Sequence, residues 1–177
     1  MESEGLPGGL LPLAEPELLE ASHDVGAFRC GVPALDHYLS QRALADQRAE
    51  KSRTYVAVRG RRVVAFFTLA AGAVEPGDAT PRAAKGQGRQ PIPVVLLARL
   101  AVDESESGGR LDEAMLVDAL RRATTAADAI GARAVLVHAK NEDVQSFYLR
   151  YGFESSSTNP LHLMMLMKDV RASLVVS

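Results

Sequence analysis

The stretch that most constrains how this chain can fold is a strand-like run that ends in a glycine turn and opens a helix. Val94-Val95-Leu96-Leu97-Ala98-Arg99-Leu100-Ala101-Val102 is almost continuously apolar, stops at Asp103, and is followed by Ser107-Gly108-Gly109-Arg110 and then an Ala/Leu-rich segment. An apolar run of this kind predicts a strand buried on both faces, the position of a strand inside a layered sheet. The helix that follows has backbone N–H groups without partners in its first turn and the positive end of its dipole there. A Gly-rich turn at such a point can cradle a pyrophosphate.

The rest of the chain extends this into a mixed α/β layer. Leu35, Tyr38 and Leu39 share one face of a helix predicted over 33–50. Thr54–Val58 and Val63–Ala70 read as strands joined through Arg59-Gly60-Arg61-Arg62, a hairpin with glycine in its turn. Residues 72–92 carry Gly, Pro, Ala, Lys and Arg without periodicity, so they read as a loop of about twenty residues, long enough to suggest a working surface or flap. Leu116, Ala119, Leu120, Ala123, Ala127 and Ile130 fall at helical spacing in a helix from Asp112 to Ile130, which Gly131 ends. A short strand over Arg133–His138 precedes Asn141, a good N-cap, and a helix that Gly152 closes. Leu161–Lys168 reads as the last strand. The order helix, hairpin, strand, helix, strand, helix, strand predicts an α+β layered fold, a mixed and mostly antiparallel sheet flanked by helices rather than a doubly wound one. With 177 residues, one domain over 21–177 is expected, preceded by a loosely ordered segment over 1–20.

Several chemistries fall away at this stage. Cys30 is the sole cysteine, which excludes an intrachain disulfide and fits a reducing cytoplasm; within Phe-Arg-Cys-Gly-Val it reads as a small buried hydrophobe. The four histidines lack ligand spacing, so no metal site is expected, and His138 reads as a core histidine. No run is long enough to span a bilayer and the N-terminus lacks a basic, apolar leader. Charge is the more telling property. The net charge of −2 conceals a block over 42–99 with eleven Lys/Arg against four Asp/Glu, a local +7. Such a block suits an anionic partner, nucleic acid being the usual one, or else a set of solvated arginines.

Four pieces in order carry a family resemblance. They are Phe28-x-Cys30-Gly31-x-x-x-Leu35-Asp36-x-Tyr38-Leu39; Ile92-Pro93-Val94-x-x-Leu97-x-Arg99-Leu100-Ala101-Val102-Asp103; Val137-His138-Ala139; and Phe147-Tyr148-x-x-Tyr151-Gly152-Phe153. The chain resembles the GNAT acetyltransferase superfamily over 25–168, and within it the toxin subgroup of type II toxin–antitoxin pairs. The resemblance implies acetyl-CoA as acetyl donor. Its pantetheine arm would pair with the backbone of Leu100, Ala101 and Val102, and its pyrophosphate would meet the loop Ser107, Gly108, Gly109, Arg110, Leu111, Asp112. Asn141 is a further candidate for the CoA arm, beside its role as N-cap. Tyr148 corresponds to the tyrosine that protonates the departing thiolate; as an ordinary phenol it is protonated at neutral pH, and the alternative is a core aromatic beside Phe147, Tyr151 and Phe153. The resemblance also implies an aminoacyl-tRNA acceptor whose phosphates meet basic residues, with Arg42, Arg48, Lys51, Arg53, Arg82, Lys85, Arg89 and Arg99 as candidates. A ribbon-helix-helix antitoxin and a homodimer are the implied protein partners.

The chain departs from that pattern at one place. The family loop reads Gln/Arg-x-x-Gly-x-Gly/Ala, and here Arg110 and Asp112 stand where glycines are expected. Glycine permits close approach and positive φ, whereas a carboxylate at 112 beside a pyrophosphate is repulsive. The expected activity is acetyl transfer to the α-amine of aminoacyl-tRNA, which blocks translation. A small-molecule or protein amine as acceptor, and a non-catalytic GNAT-shaped binding module with a degenerate loop, are the alternatives.

Overall fold

The computed structural model describes residues 11–176, with the side chain of Val176 excepted. A seven-stranded sheet runs in the order β1-β2-β3-β4-β5-β7-β6. In chain order the elements are β1 (Glu17–Leu18), α1 (Pro33–Gln41), α2 (Ala43–Arg48), β2 (Arg53–Arg59), β3 (Arg62–Val74), α3 (Pro81–Ala84), β4 (Ile92–Val102), α4 (Leu111–Ile130), β5 (Ala134–His138), α5 (Glu142–Arg150), β6 (Glu154–Ser155), β7 (His162–Leu166) and α6 (Met167–Val176). The chain divides into two compact units. One holds the described residues up to Thr68 with Arg99–Met115, the other Leu69–Ala98 with the described residues from Leu116 onward.

In the first unit, Gly60 (φ +65) turns β2 into β3 across two residues. The core gathers Phe28, Leu39, Val56, Val63, Phe66 and Ala101, with Phe28 edge-on to Phe66 at 5.4 Å. Gln47 on α2 receives the amide of Thr54 (3.0 Å) and donates to the carbonyl of Leu19 (2.9 Å), so one side chain ties α2 to the start of β2 and to the residue after β1. Burying that carboxamide costs little because both of its ends are matched. The helix expected over 33–50 is two helices. They break at Arg42 (φ −127), whose amide still reaches Tyr38 O at 2.9 Å. Of the segment expected to be loose over 1–20, residues 1–10 lie outside the described residues, and Glu17–Leu18 pairs antiparallel with Val56–Tyr55.

In the second unit, β4 and β5 run parallel from Val94↔Ala134 to Leu97↔Val137, with α4 as the crossover between them. β7 pairs antiparallel with all of β5 on one side and with β6 on the other. The segment 72–92 is more ordered than a plain loop. β3 continues to Val74, a 3₁₀ turn spans Pro76–Asp78, and Thr80 caps α3 by accepting from the amide of Ala83 (3.3 Å). Ala79 and Ala83 are buried against Ile92, Leu136 and Met164, which is what holds this segment down. Arg133 donates to the carbonyls of Ala83 (2.7 Å), Arg82 (3.3 Å) and Lys85 (3.2 Å), satisfying acceptors the end of α3 leaves open.

Four further expectations are corrected. Ile130 is 77% exposed rather than part of the buried helix face. His138 is exposed at the end of β5, so it is not a core histidine; its ring stacks on that of His162 at 4.0 Å, where partial desolvation of the ring and then the neighbouring imidazole lower its pKa. The last strand stops at Leu166, and Met167–Val176 is helical with Val170 fully buried. Burial of β4 on both faces holds for Val94, Val95 and Leu97 but lapses beyond, where only Ala101 is buried.

Candidate active site

The end of β4 and the loop after it form the first half of the expected site, all within the first unit. The parallel ladder with β5 ends at Leu97, so the backbone from Arg99 to Val102 is not in that ladder. Unpaired strand backbone is the group that an extended amide-bearing chain such as pantetheine can pair with. Leu100 and Val102 are half-buried and Ala101 is buried in the first core, which anchors the strand.

Asp103 then turns the chain. Its carboxylate accepts from the amide of Arg29 (2.7 Å), from the amide (3.0 Å) and hydroxyl (2.6 Å) of Ser105, and from Arg62 Nη2 (3.0 Å). Burial alone would raise the Asp103 carboxyl, but these hydrogen bonds and the Arg62 charge outweigh it and hold its pKa below the ordinary range. A 3₁₀ turn over Glu104–Glu106 follows, and Arg59 grips Glu106 with two bonds, Nε–Oε1 at 2.5 Å and Nη2–Oε2 at 3.1 Å.

The loop beyond is where the glycines are missing. Gly108 has φ +82 and Arg110 has φ +59, so the chain keeps the left-handed conformation at 110 although the residue there is arginine. A non-glycine in that region costs about 1 kcal/mol. Asp112 sits exposed in the first turn of α4, its carboxylate on the amide of Glu113 at 2.8 Å. Among the described residues, no acceptor meets the amides of Gly108, Arg110, Leu111 or Asp112. Ser107, by contrast, donates its amide to Glu104 O (3.2 Å) and Gly109 to Glu106 O (3.3 Å). Four open amides at the positive end of a twenty-residue helix fit a pyrophosphate.

The second unit carries Tyr148 and Asn141. Tyr148 is 6% exposed and lies edge-on to Phe147 (5.1 Å) and Phe153 (5.2 Å). Burial pushes its pKa well above that of a free phenol, so it stays protonated. Among the described residues its hydroxyl has no hydrogen-bond partner, and no buried polar side-chain atom is left unpaired; the oxygen therefore opens outward from an aromatic socket. That geometry suits a proton donor. Asn141 is the N-cap of α5, its side-chain oxygen accepting from the amide of Val144 at 3.0 Å.

The cationic candidates separate into different roles. Arg42, Arg48, Lys51 and Arg53 are exposed along α2 and the start of β2, with no ion pair among the described residues. Arg99 is half-buried with its guanidinium 3.5 Å over the ring of Tyr38, itself 4% exposed. In the second unit, Lys85 and Arg89 are exposed, while Arg82 is tied to Glu154 (2.5 Å) and Asp169 (2.9 Å). Arg59 and Arg62 also spend their charge on carboxylates of their own chain. The local +7 is thus smaller in the folded protein than in the sequence. Counting along the chain could not find these pairs, because their partners lie at least 41 residues away. Cys30 is held with its thiol pushed up to about 11, chiefly by burial and by Asp36, which leaves no thiolate for nucleophilic work at neutral pH.

No protein-family model matches the chain. A tRNA-acetylating toxin of Mycobacterium tuberculosis is 47% identical over 157 residues, covering 89% of this chain and 94% of the relative. Among solved structures, AtaT complexed with acetyl-methionyl-tRNAfMet superposes with a TM-score of 0.84 at 29% identity, covering 94% of this chain and all of the other. A tyrosine-to-phenylalanine variant of AtaT, bound to the C-terminus of the antitoxin AtaR and acetyl-CoA, gives 0.79 at 29% identity, covering 93% and 99%. With a relative of that identity and coverage, the chain belongs to the acetyltransferase toxins, the toxin subgroup of the GNAT N-acetyltransferases. The mixed, mostly antiparallel sheet flanked by helices is the fold of those neighbours. The chain is an acyltransferase, and the degenerate glycine loop does not mark a non-catalytic module.

Proposed function

We propose that the protein takes the acetyl group of acetyl-CoA and places it on the α-amine of an aminoacyl-tRNA, so that the blocked aminoacyl group is lost to translation. The observation that carries this reading is the set of open amides at Gly108, Arg110, Leu111 and Asp112 in a chain so similar to a tRNA-acetylating toxin. These amides take the pyrophosphate of the donor, and the β4 backbone at Leu100–Val102 takes its pantetheine arm. The amine's lone pair attacks the thioester carbonyl carbon; the C–N bond forms as the C–S bond breaks. Backbone amides of the β4 end stabilise the oxyanion. Tyr148 gives its proton to the departing sulfur, and the proton released by the amine restores the phenol, so the tyrosine emerges unchanged.

The acceptor's phosphates meet Arg42, Arg48, Lys51, Arg53 and Arg99 on the first unit, with Lys85 and Arg89 contributing on the second. Arg82, bound to two carboxylates, belongs to the scaffold instead. A ribbon-helix-helix antitoxin and a homodimer complete the assembly, and the cytoplasm is its compartment. No helix of the described residues is long and apolar enough to cross a membrane.

The test is to incubate the purified chain with acetyl-CoA and a bulk aminoacyl-tRNA pool, then identify acetylated aminoacyl-adenosine after nuclease digestion. Acetylation of one or a few aminoacyl groups, lost in an Arg42→Gln, Arg48→Gln, Lys51→Gln, Arg53→Gln quadruple variant and weakened steeply by salt, is the expected result. Acetylation of a small amine with none on any aminoacyl-tRNA overturns it.

A further inference from the structure

The loop that must receive a pyrophosphate is itself acidic. Between Asp103 and Glu113 it carries Asp103, Glu104, Glu106, Asp112 and Glu113, against the single cation Arg110. Arg110 is almost fully exposed and only 4.0 Å from Glu113, a loose pairing. A dianionic diphosphate brought to such a loop meets like charge, and the glycines that elsewhere let backbone approach closely are absent at 110 and 112.

The β2–β3 hairpin answers both difficulties. Arg59, the last residue of β2, holds Glu106 in a fork of two bonds and adds a third from Nη1 to Leu11 O at 2.7 Å. Arg62, the first residue of β3, reaches Asp103 (3.0 Å) and Ser105 Oγ (2.9 Å) through the same Nη2. The Arg59–Glu106 pair is largely shielded from solvent, with side chains 23% and 13% exposed, and Asp103 is 5% exposed. Paired, planar guanidinium–carboxylate contacts of this kind fix geometry as well as charge. Both arginines act on the 3₁₀ turn just before Gly108, the first of the loop's two left-handed residues.

We propose that Arg59 and Arg62 are positioning residues for the donor loop: by neutralising Glu106 and Asp103 and pinning the 3₁₀ turn, they hold the open amides of Gly108, Arg110, Leu111 and Asp112 ready for a pyrophosphate where the usual glycines are missing. The inference rests on acetyl-CoA being the donor. It also takes both arginines out of the tRNA-binding charge to which their place in the basic block would otherwise assign them.

The test compares Arg59→Ala, Glu106→Ala, the double variant and Arg59→Lys by calorimetry with acetyl-CoA. Steady-state kinetics are then measured with acetyl-CoA and with acetyl-pantetheine, a donor lacking the pyrophosphate. Arg59→Ala leaves Glu106 charged and unpaired, so acetyl-CoA binding weakens about tenfold, and the ratio of kcat/KM for acetyl-CoA to that for acetyl-pantetheine falls by a similar factor. Glu106→Ala alone does less, and adding it to Arg59→Ala restores much of the lost affinity, because the offending carboxylate is gone. Arg59→Lys keeps the charge without the fork and falls between, and being conservative it reports even if the alanine variant does not fold. Equal losses with both donors, or a double variant no better than Arg59→Ala, overturn the proposal. Absence of acetyl-CoA binding by the wild-type chain overturns the donor assignment and the clamp with it. Wild-type binding that Arg59→Ala and Arg59→Lys leave intact overturns the clamp alone.

Discussion

Two helices that carry a pair of acidic residues in the first turn, α4 and α5, start in opposite ways. α5 is closed: Asn141 sits extended at φ −156, accepts from the amide of Val144, and is followed by Glu142 and Asp143 at the positive dipole end. α4 is open: Arg110 enters it at φ +59, and among the described residues no acceptor meets the amides of Leu111 and Asp112 and the one side-chain bond at this start joins Asp112 to the next residue. A capped start gains about 1 kcal/mol and a left-handed arginine loses a comparable amount. The chain therefore gives up stability at one helix start that it keeps at the other. That is the pattern expected where backbone donors are reserved for a ligand, and under the proposed reaction α5 contributes a side chain, Tyr148, rather than its amides.

The strongest way to sharpen this contrast is Tyr148→Phe. If α5 supplies the proton and α4 the donor site, kcat falls at least about 100-fold while calorimetry shows unchanged acetyl-CoA affinity. The buried ring is retained and the oxygen lost has no partner among the described residues, so the melting temperature should move little. A joint fall of affinity and kcat would place Tyr148 in donor binding and blur the distinction between the helices.

Next in size is Asn141→Ala. Removal of the α5 cap should lower stability by about 1 kcal/mol, read from denaturant midpoints, and leave acetyl-CoA affinity unchanged. A loss of affinity at constant stability would instead make Asn141 a ligand of the CoA arm and α5 a second open helix.

Much of this contrast is legible in the chain itself, and the reason is local chemistry. Asn141 three residues before Val144 is a cap by composition, and the apolar run into Asp103 announces β4. The charge pairs are not legible, because Arg59, Arg62 and Arg82 find Glu106, Asp103, Glu154 and Asp169 only after the chain folds back on itself. Helix α6 is hidden for a different reason. Leu-His-Leu-Met-Met-Leu-Met reads as one strand, and nothing in those residues says that the strand stops at Leu166, where Met167 donates its amide to Arg133 O at 2.8 Å and α6 begins. The positive φ at 110 is illegible for a third reason: arginine gives no hint of it, and only the neighbouring loop geometry imposes it.

Asp112→Asn gives the smallest effect and separates two roles that one carboxylate plays. As a charge at the positive end of α4 it supports the helix, so its loss should destabilise the protein by about 0.5 kcal/mol. As a charge beside the open amides it repels the donor's pyrophosphate, so its loss should tighten acetyl-CoA binding about threefold, more at low salt than at high because the side chain is exposed and screened. The two effects have opposite signs, which a general perturbation of the helix start cannot produce. Calorimetry at two ionic strengths beside a denaturant titration reads both. If affinity falls together with stability, Asp112 faces away from the ligand, and the opening at α4 is narrower than its free amides imply.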